Sequence, residues 1–392
     1  MPLFRSVPRN VWILGLVSLF TDVSSEMIYS LLPLFLVSVL EASVLTVGAI
    51  EGIAEATASV LKVFSGALSD YLGKRKGLAL IGYGLSTVVK PLFALATNPC
   101  WVLLARFGDR VGKGIRVAPR DALVADSTDP GDRGAAYGLR QSLDTVGAVL
   151  GPTAAFALMA GFRENFRLVF ALALIPGVLS VALLAVGVRE PNRSPATFKA
   201  NPLQWSVLRG LNQRYWVVVV VALLFNLGNS SDAFLLLRAQ QAGVPISLVP
   251  LTLVVMNLAY AFSAYPLGVL SDRVGRLGLL LGSFLLYALI YLGFAFVQSP
   301  WQVWGLFGFY GLYLGMSQGV LLALVADRVP PHLRGTAFGF LNLAIGVALL
   351  PASLLAGWLW QNASSEYTFL AGSLFAVIAT LLLLSDEISL HR

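Results

Sequence analysis

Apolar runs of about twenty residues, long enough to cross a bilayer as a helix, recur from one end of this chain to the other. That recurrence constrains the fold more than any other feature. A backbone in hydrocarbon must satisfy its own N–H and C=O groups, and a helix does so within one segment. Twelve spans are predicted, at 10–39, 43–69, 77–96, 100–126, 134–160, 167–188, 215–238, 246–270, 277–297, 302–327, 335–359 and 367–385. Of the 392 residues, 57% are hydrophobic and 12% charged, about half the charge of a soluble domain.

Connections after the even-numbered spans are basic. They carry Lys74, Arg75, Lys76, Arg133, Arg189, Arg209, Arg273, Arg276, Arg328 and Arg334 among others, whereas the alternate connections hold chiefly Arg163 and Arg167. The positive-inside bias therefore predicts cytoplasmic N and C termini and a cytoplasmic central loop. The opening MPLFRSVPRN runs into the first span without a small-residue cleavage site, so it reads as a retained helix. The net charge of +7 is spread over loops and span 4, which argues against nucleic acid as a partner. Cys100, His332 and His391 are the only residues of their types, so a disulfide framework, a His/Cys metal site and any other cofactor are not expected. No nucleotide-binding P-loop is present, which excludes ATP as the energy source.

The two halves repeat. LVADSTDPGDRGAAYG at 123–138 matches LVADRVPPHLRGTAFG at 324–339, and GALSDYLGK at 66–74 matches GVLSDRVGR at 268–276. Ser24-Ser25-Glu26 echoes Ser230-Ser231-Asp232. Offsets near 200 throughout imply two related six-helix bundles. The predicted organisation is an N-terminal bundle over 1–189, a linker over 190–214 and a C-terminal bundle over 215–392.

Twelve spans in repeated halves, with G-x-L-S-D-x-x-G-[KR] after spans 2 and 8, resemble the major facilitator superfamily. That resemblance implies a substrate cavity opened alternately to each side by rocking bundles. It also implies gating roles for Gly66, Asp70 and Gly73 in one copy and Gly268, Asp272, Arg273 and Gly275 in the other. Tyr71 stands where the family usually places a basic residue; Arg273 keeps it in the second copy. Gly147, Gly151 and Pro152 in span 5 are similar to the G-x-x-x-G-P pattern of proton-coupled exporters. Physically, the two glycines make a flat packing surface and the proline bends the helix.

Span 4 is the anomaly. Arg106, Asp109, Lys113, Arg116 and Arg120 fall within about 80° of one helix face, with Arg110 beside them. At an offset of 201 the second half has Phe307, Tyr310, Leu314, Ser317 and Leu321 instead. The architecture therefore does not require the stripe. Acids at membrane depth accompany it: Asp22 and Glu26 in span 1, Glu51 and Glu55 with Lys62 in span 2, and Asp144 with Arg140 in span 5. Carboxylates in a low-dielectric surrounding suit proton binding. The resemblance adds that acids of spans 1 and 4, with a span-4 arginine matching Arg106 or Arg110, often carry coupling. The other reading is a fixed set of salt bridges that neutralise the stripe. The second half offers Asn226, Asn229, Asp232 and Asn257, with Tyr260, Tyr310 and Tyr313 as aromatic neighbours.

The expected function is secondary active transport of a small amphiphilic solute, anionic or zwitterionic, by proton-coupled efflux. Uptake of an organic anion or metal chelate, or a non-transporting receptor on the same fold, are the alternatives. The expected partners are that solute, protons and the lipid bilayer. The protein is expected to be a monomer in the inner (plasma) membrane and not an enzyme.

Overall fold

The structure is a computed structural model that describes residues 8–72, 75–128, 133–190, 212–329 and 334–390. Helices and short turns make up the described chain, and no strand occurs among those residues. In chain order the helices are α1 (Arg9–Tyr29), α2 (Leu32–Ser38), α3 (Val44–Leu72), α4 (Arg75–Val88), α5 (Lys90–Leu95), α6 (Pro99–Asp126), α7 (Arg133–Gly161), α8 (Phe166–Leu172) and α9 (Leu174–Gly187). They continue with α10 (Gln213–Gly228), α11 (Ala233–Gln241), α12 (Val249–Val274), α13 (Arg276–Phe296), α14 (Pro300–Arg328), α15 (Arg334–Asn362) and α16 (Ser365–Leu390).

Helices outnumber predicted spans because several spans are broken. Pro33, Pro91 and Pro176 each lack an N–H and crowd the carbonyl four residues back. The chain breaks at α1/α2, α4/α5 and α8/α9 accordingly. The α10/α11 break, at Asn229–Asp232, has no proline and falls in Gly-Asn-Ser-Ser. Among the described residues, eleven helical segments are long and apolar enough to cross a membrane by length and composition. The charged helix α6 lies outside that set despite its 28 residues. Repeated sequence gives repeated caps. Asn98 accepts from the backbone N–H groups of Cys100 and Trp101 at 3.0 and 3.4 Å ahead of Pro99, and Ser299 forms a capping box with Gln302 ahead of Pro300. Each cap supplies acceptors for helix N–H groups that have no partner in the first turn.

Contacts divide the chain into two compact units. Unit 1 comprises Met1–Phe35 and Thr57–Asn201, and unit 2 comprises Leu36–Ala56 and Pro202–Arg392. In unit 1, α7 lies along α1 so closely that a Cβ on Gly147 would meet the Leu19 carbonyl at 2.7 Å and Asp22 Cβ at 2.9 Å. A Cβ on Gly151 would meet Glu26 Cβ at 2.6 Å and the Val23 carbonyl at 2.9 Å. The glycines of the span-5 motif thus seat α7 directly on the two acids of α1. Gly151→Val should cost about 1–3 kcal/mol, because a backbone carbonyl cannot yield. Gly161→Ala is the control, since nothing lies within 4 Å of its Cβ position. Equal melting temperatures for the two variants would contradict close packing as the role of Gly151.

In unit 2, the first part of α3 packs on α15: a Cβ on Gly52 would meet Leu350 Cα at 3.0 Å, and one on Gly357 would meet Leu45 Cα at 2.8 Å. The core beyond is aromatic. Phe225 stacks on Phe284 at 4.2 Å between ring centroids, and Tyr287 stacks on Tyr291 at 4.1 Å.

Candidate functional site

The stripe on α6 folds inward within unit 1 and meets Tyr29 near the end of α1. The guanidinium of Arg106 lies 3.7 Å from the Tyr29 ring centroid and that of Arg110 lies 4.5 Å from it, both in cation–π range. The Tyr29 hydroxyl donates to Asp109 Oδ2, which is 3.6 Å from Arg110 Nε. On the other side, Ser86 Oγ donates to the Asp109 backbone oxygen at 3.0 Å and accepts from Arg116 Nη1 at 2.5 Å. Arg116 also sits over the Tyr83 ring at 4.8 Å.

Lys90, at the α4/α5 break, completes this nest. Its ammonium donates to Ser24 Oγ and, at 3.5 Å, to Ser25 Oγ, while Ser24 Oγ donates to the Ala173 carbonyl at the α8/α9 break. Exposure decides the character of the nest: Lys90 is 2% exposed, Arg106 4%, Arg110 2% and Arg116 5%, against one carboxylate, Asp109, at 2%. Four enclosed cations gather beside Asp109, and charge enclosed in this way is costly in a membrane.

Toward the end of α6 and along the facing α7, charges pair within and between the two helices. Arg120 meets Asp121 at 2.9 Å, Arg140 pairs with Asp144, and Arg140 Nε lies 3.8 Å from Asp121. Asp144 is thus held within its own helix α7. Asp22 and Glu26 are half-buried, and among the described residues neither carboxylate makes a hydrogen bond or ion pair. Charges within electrostatic reach of Glu26 are Asp22, Lys113, Arg110 and Arg106; Asp22 faces Asp144, Arg116, Arg120 and Lys113. Lys62 and Lys113 are half-buried.

Glu51 and Glu55 group by contacts with unit 2, where they lie within electrostatic reach of Asp232. In the α10/α11 break, Asp232 Oδ1 accepts from the Tyr310 hydroxyl at 3.2 Å. Asn229 Oδ1 accepts from Tyr310 and Tyr287, each at 3.3 Å. Asn226 donates to the Ala222 carbonyl of its own helix at 2.8 Å, and Asn257 is half-buried on α12. Tyr310 and Tyr313 are buried within unit 2 and pack against Tyr287.

Of the motif residues, the side chains of Asp70, Asp272 and Arg273 and the surroundings of Gly66 and Gly73 lie outside the described residues. Gly268 is half-buried, and Gly275 turns α12 into α13 at φ +90°, a conformation that favours glycine. Their neighbourhood is duplicated: Arg75 meets Asp126 at 2.9 Å in unit 1, and Arg276 meets Asp327 at 3.0 Å in unit 2. Sequence reasoning missed Lys90, Tyr29 and Ser86. The signal for Lys90 was available, since it is a lone charge in the apolar run LSTVVKPLFALA with Tyr291 at the same register of the second half.

The profile of the Major Facilitator Superfamily matches residues 14–346 and 233–391. An uncharacterized MFS-type transporter of Methanocaldococcus jannaschii is 34% identical over 389 residues, covering 97% of this chain and 95% of that protein. The multidrug resistance protein MdtH of Photorhabdus laumondii is 27% identical over 350 residues, covering 86% and 82% of the two chains. Among solved structures, the nucleoside transporter NupG superposes with a TM-score of 0.81 at 14% identity, covering 96% of this chain and 99% of that one, a likeness of fold alone. The chain belongs to the Major Facilitator Superfamily, and it is a secondary transporter of the membrane, not an enzyme.

Proposed function

We propose that the protein moves a small amphiphile bearing an anionic group, either an organic anion or a zwitterion, by alternating access coupled to protons. The observation that carries this reading is the gathering of the buried cations Lys90, Arg106, Arg110 and Arg116 beside Asp109 within unit 1. A site rich in fixed cations favours a ligand that brings negative charge. The half-buried carboxylates of Asp22 and Glu26, which lack direct partners among the described residues, suit proton binding beside it. Export is the direction we favour. The resemblance of Gly147, Gly151 and Pro152 to the exporter pattern and the similarity to the multidrug resistance protein MdtH support it. The setting is the inner (plasma) membrane, with the monomer as working unit.

Proteoliposomes with an imposed pH gradient test this directly. Labelled aromatic carboxylates and sulfonates should accumulate against their own gradient, and lipophilic cations should not. Arg106→Ala should lower anion flux about tenfold or more, the loss of about 1.4 kcal/mol. Glu26→Gln should leave downhill exchange and abolish drive by the gradient. Transport of the cations without the anions would overturn the substrate class. Full transport by both variants, with lower melting temperatures, would make the charges a fixed salt-bridge network. Uptake is the second reading, because the same cations would serve an incoming organic anion or metal chelate. The sign of the gradient that drives flux separates the two.

A further inference from the structure

Lys90 stands apart from the other cations of the nest. Arginine keeps its charge throughout the pH range of proteins, whereas a buried lysine is able to exist as ammonium or amine. Arg106, Arg110 and Arg116 are therefore fixed, and Lys90 is the only enclosed cation of the nest able to change its charge. Its seat bears on which form fits. No carboxylate lies within ion-pairing distance of the ammonium among the described residues, and its acceptors are the hydroxyls of Ser24 and Ser25. Two acceptors match the two N–H donors of an amine, while an ammonium has three.

The elements packed against Lys90 carry Asp22, Glu26 and Tyr29 (α1), Tyr83 (α4), Arg106, Asp109, Arg110, Lys113 and Arg116 (α6) and Arg167 (α8). The strongest electrostatic influences on it come from Asp109, Arg116, Asp22 and Arg110. Asp109 is engaged by Tyr29 and Arg110, so its charge is shared before it reaches Lys90. The repeat supplies a control. At an offset of 201, unit 2 places Tyr291 at this register, and Tyr291 is packed against Tyr287 and 1% exposed. A neutral side chain fills the same place in the other copy, so the fold does not need this charge.

We propose that Lys90 is a proton-exchanging group of the nest: its amine lone pair takes up one proton from water when a solute anion joins the arginines, and returns it when the anion leaves. The inference rests on the anion-transport reading for its purpose, but its test needs no transported solute. The full chain in lipid nanodiscs, with lysine labelled at ¹⁵Nζ, is followed by NMR between pH 5.5 and 9.5. The Lys90 signal, identified by its loss in Lys90→Arg, should pass from the ammonium to the amine position within that range. Sulfate, used as an anion probe, should hold it in the ammonium form to higher pH. A Lys90 signal that stays ammonium to pH 9.5 would overturn the proposal.

Should Lys90→Arg fail to fold, a chain in which the other lysines are arginine leaves Lys90 as the single signal, and the same criterion applies. Absence of anion flux in proteoliposomes with a titrating Lys90 signal would sink the transport reading alone.

Discussion

Replacing Asp109 by asparagine should cost about 3–5 kcal/mol of stability, the effect of removing one partner from a buried ionic cluster. The loss follows from enclosure. Asp109 is a buried carboxylate among four cations of 5% exposure or less, so its neutralisation takes a countercharge from groups that water cannot reach. It also replaces the charged acceptor of the Tyr29 hydroxyl with a neutral amide oxygen, which is a weaker acceptor for the guanidinium of Arg110 as well. Asp144→Asn provides the comparison, because Asp144 is half-buried and faces Arg140 on its own helix. Denaturation in detergent or nanodiscs should show a much larger loss for Asp109→Asn. Two variants of equal stability would mean that the nest is hydrated and its charges are not coupled through Asp109. Arg110→Gln added to Asp109→Asn should recover part of the loss, since one cation then goes with the anion.

Arg238→Met should be nearly as damaging, for a different reason. Arg238 on α11 is 7% exposed and donates to the carbonyls of Phe294, Ala295 and Val297 at 2.8, 2.8 and 3.2 Å. These lie at and just beyond the end of α13, where main-chain carbonyls have no helical partner. Methionine keeps the apolar stem and removes every donor. Each buried acceptor left unmade costs about 1–3 kcal/mol, so a loss of about 3–5 kcal/mol is expected. A melting temperature within about 2 °C of the parent would show that lipid headgroups or water replace the guanidinium. Arg238→Lys should fall between, because an ammonium cannot span three carbonyls as a planar fork does.

Much of this fold was legible in the sequence because it follows from periodicity and repetition. Apolar runs located the helices, and matched loop sequences revealed the duplication that reappears as Arg75–Asp126 and Arg276–Asp327. The stripe on α6 was legible for the same reason, since Phe307, Tyr310 and Ser317 mark it as dispensable to the architecture. Tertiary packing was not legible. Nothing in the sequence near Glu51 tells that the first part of α3 packs on α15. Tyr29 resembles any aromatic residue of an apolar span until two guanidiniums are seen against its ring. Lys90 is a different case, because it was visible and passed over. Attention to clustered charges hid a solitary one.

The placement of the partners of α6 has a consequence for how the chain is made. A helix with this many charges enters a bilayer poorly by itself. Tyr29, Tyr83 and Ser86, which receive Arg106, Arg110, Arg116 and Asp109, all precede α6 in the chain. When α6 leaves the ribosome, the surfaces that shelter its charges have already been synthesised, and insertion becomes the docking of a charged helix onto waiting neighbours.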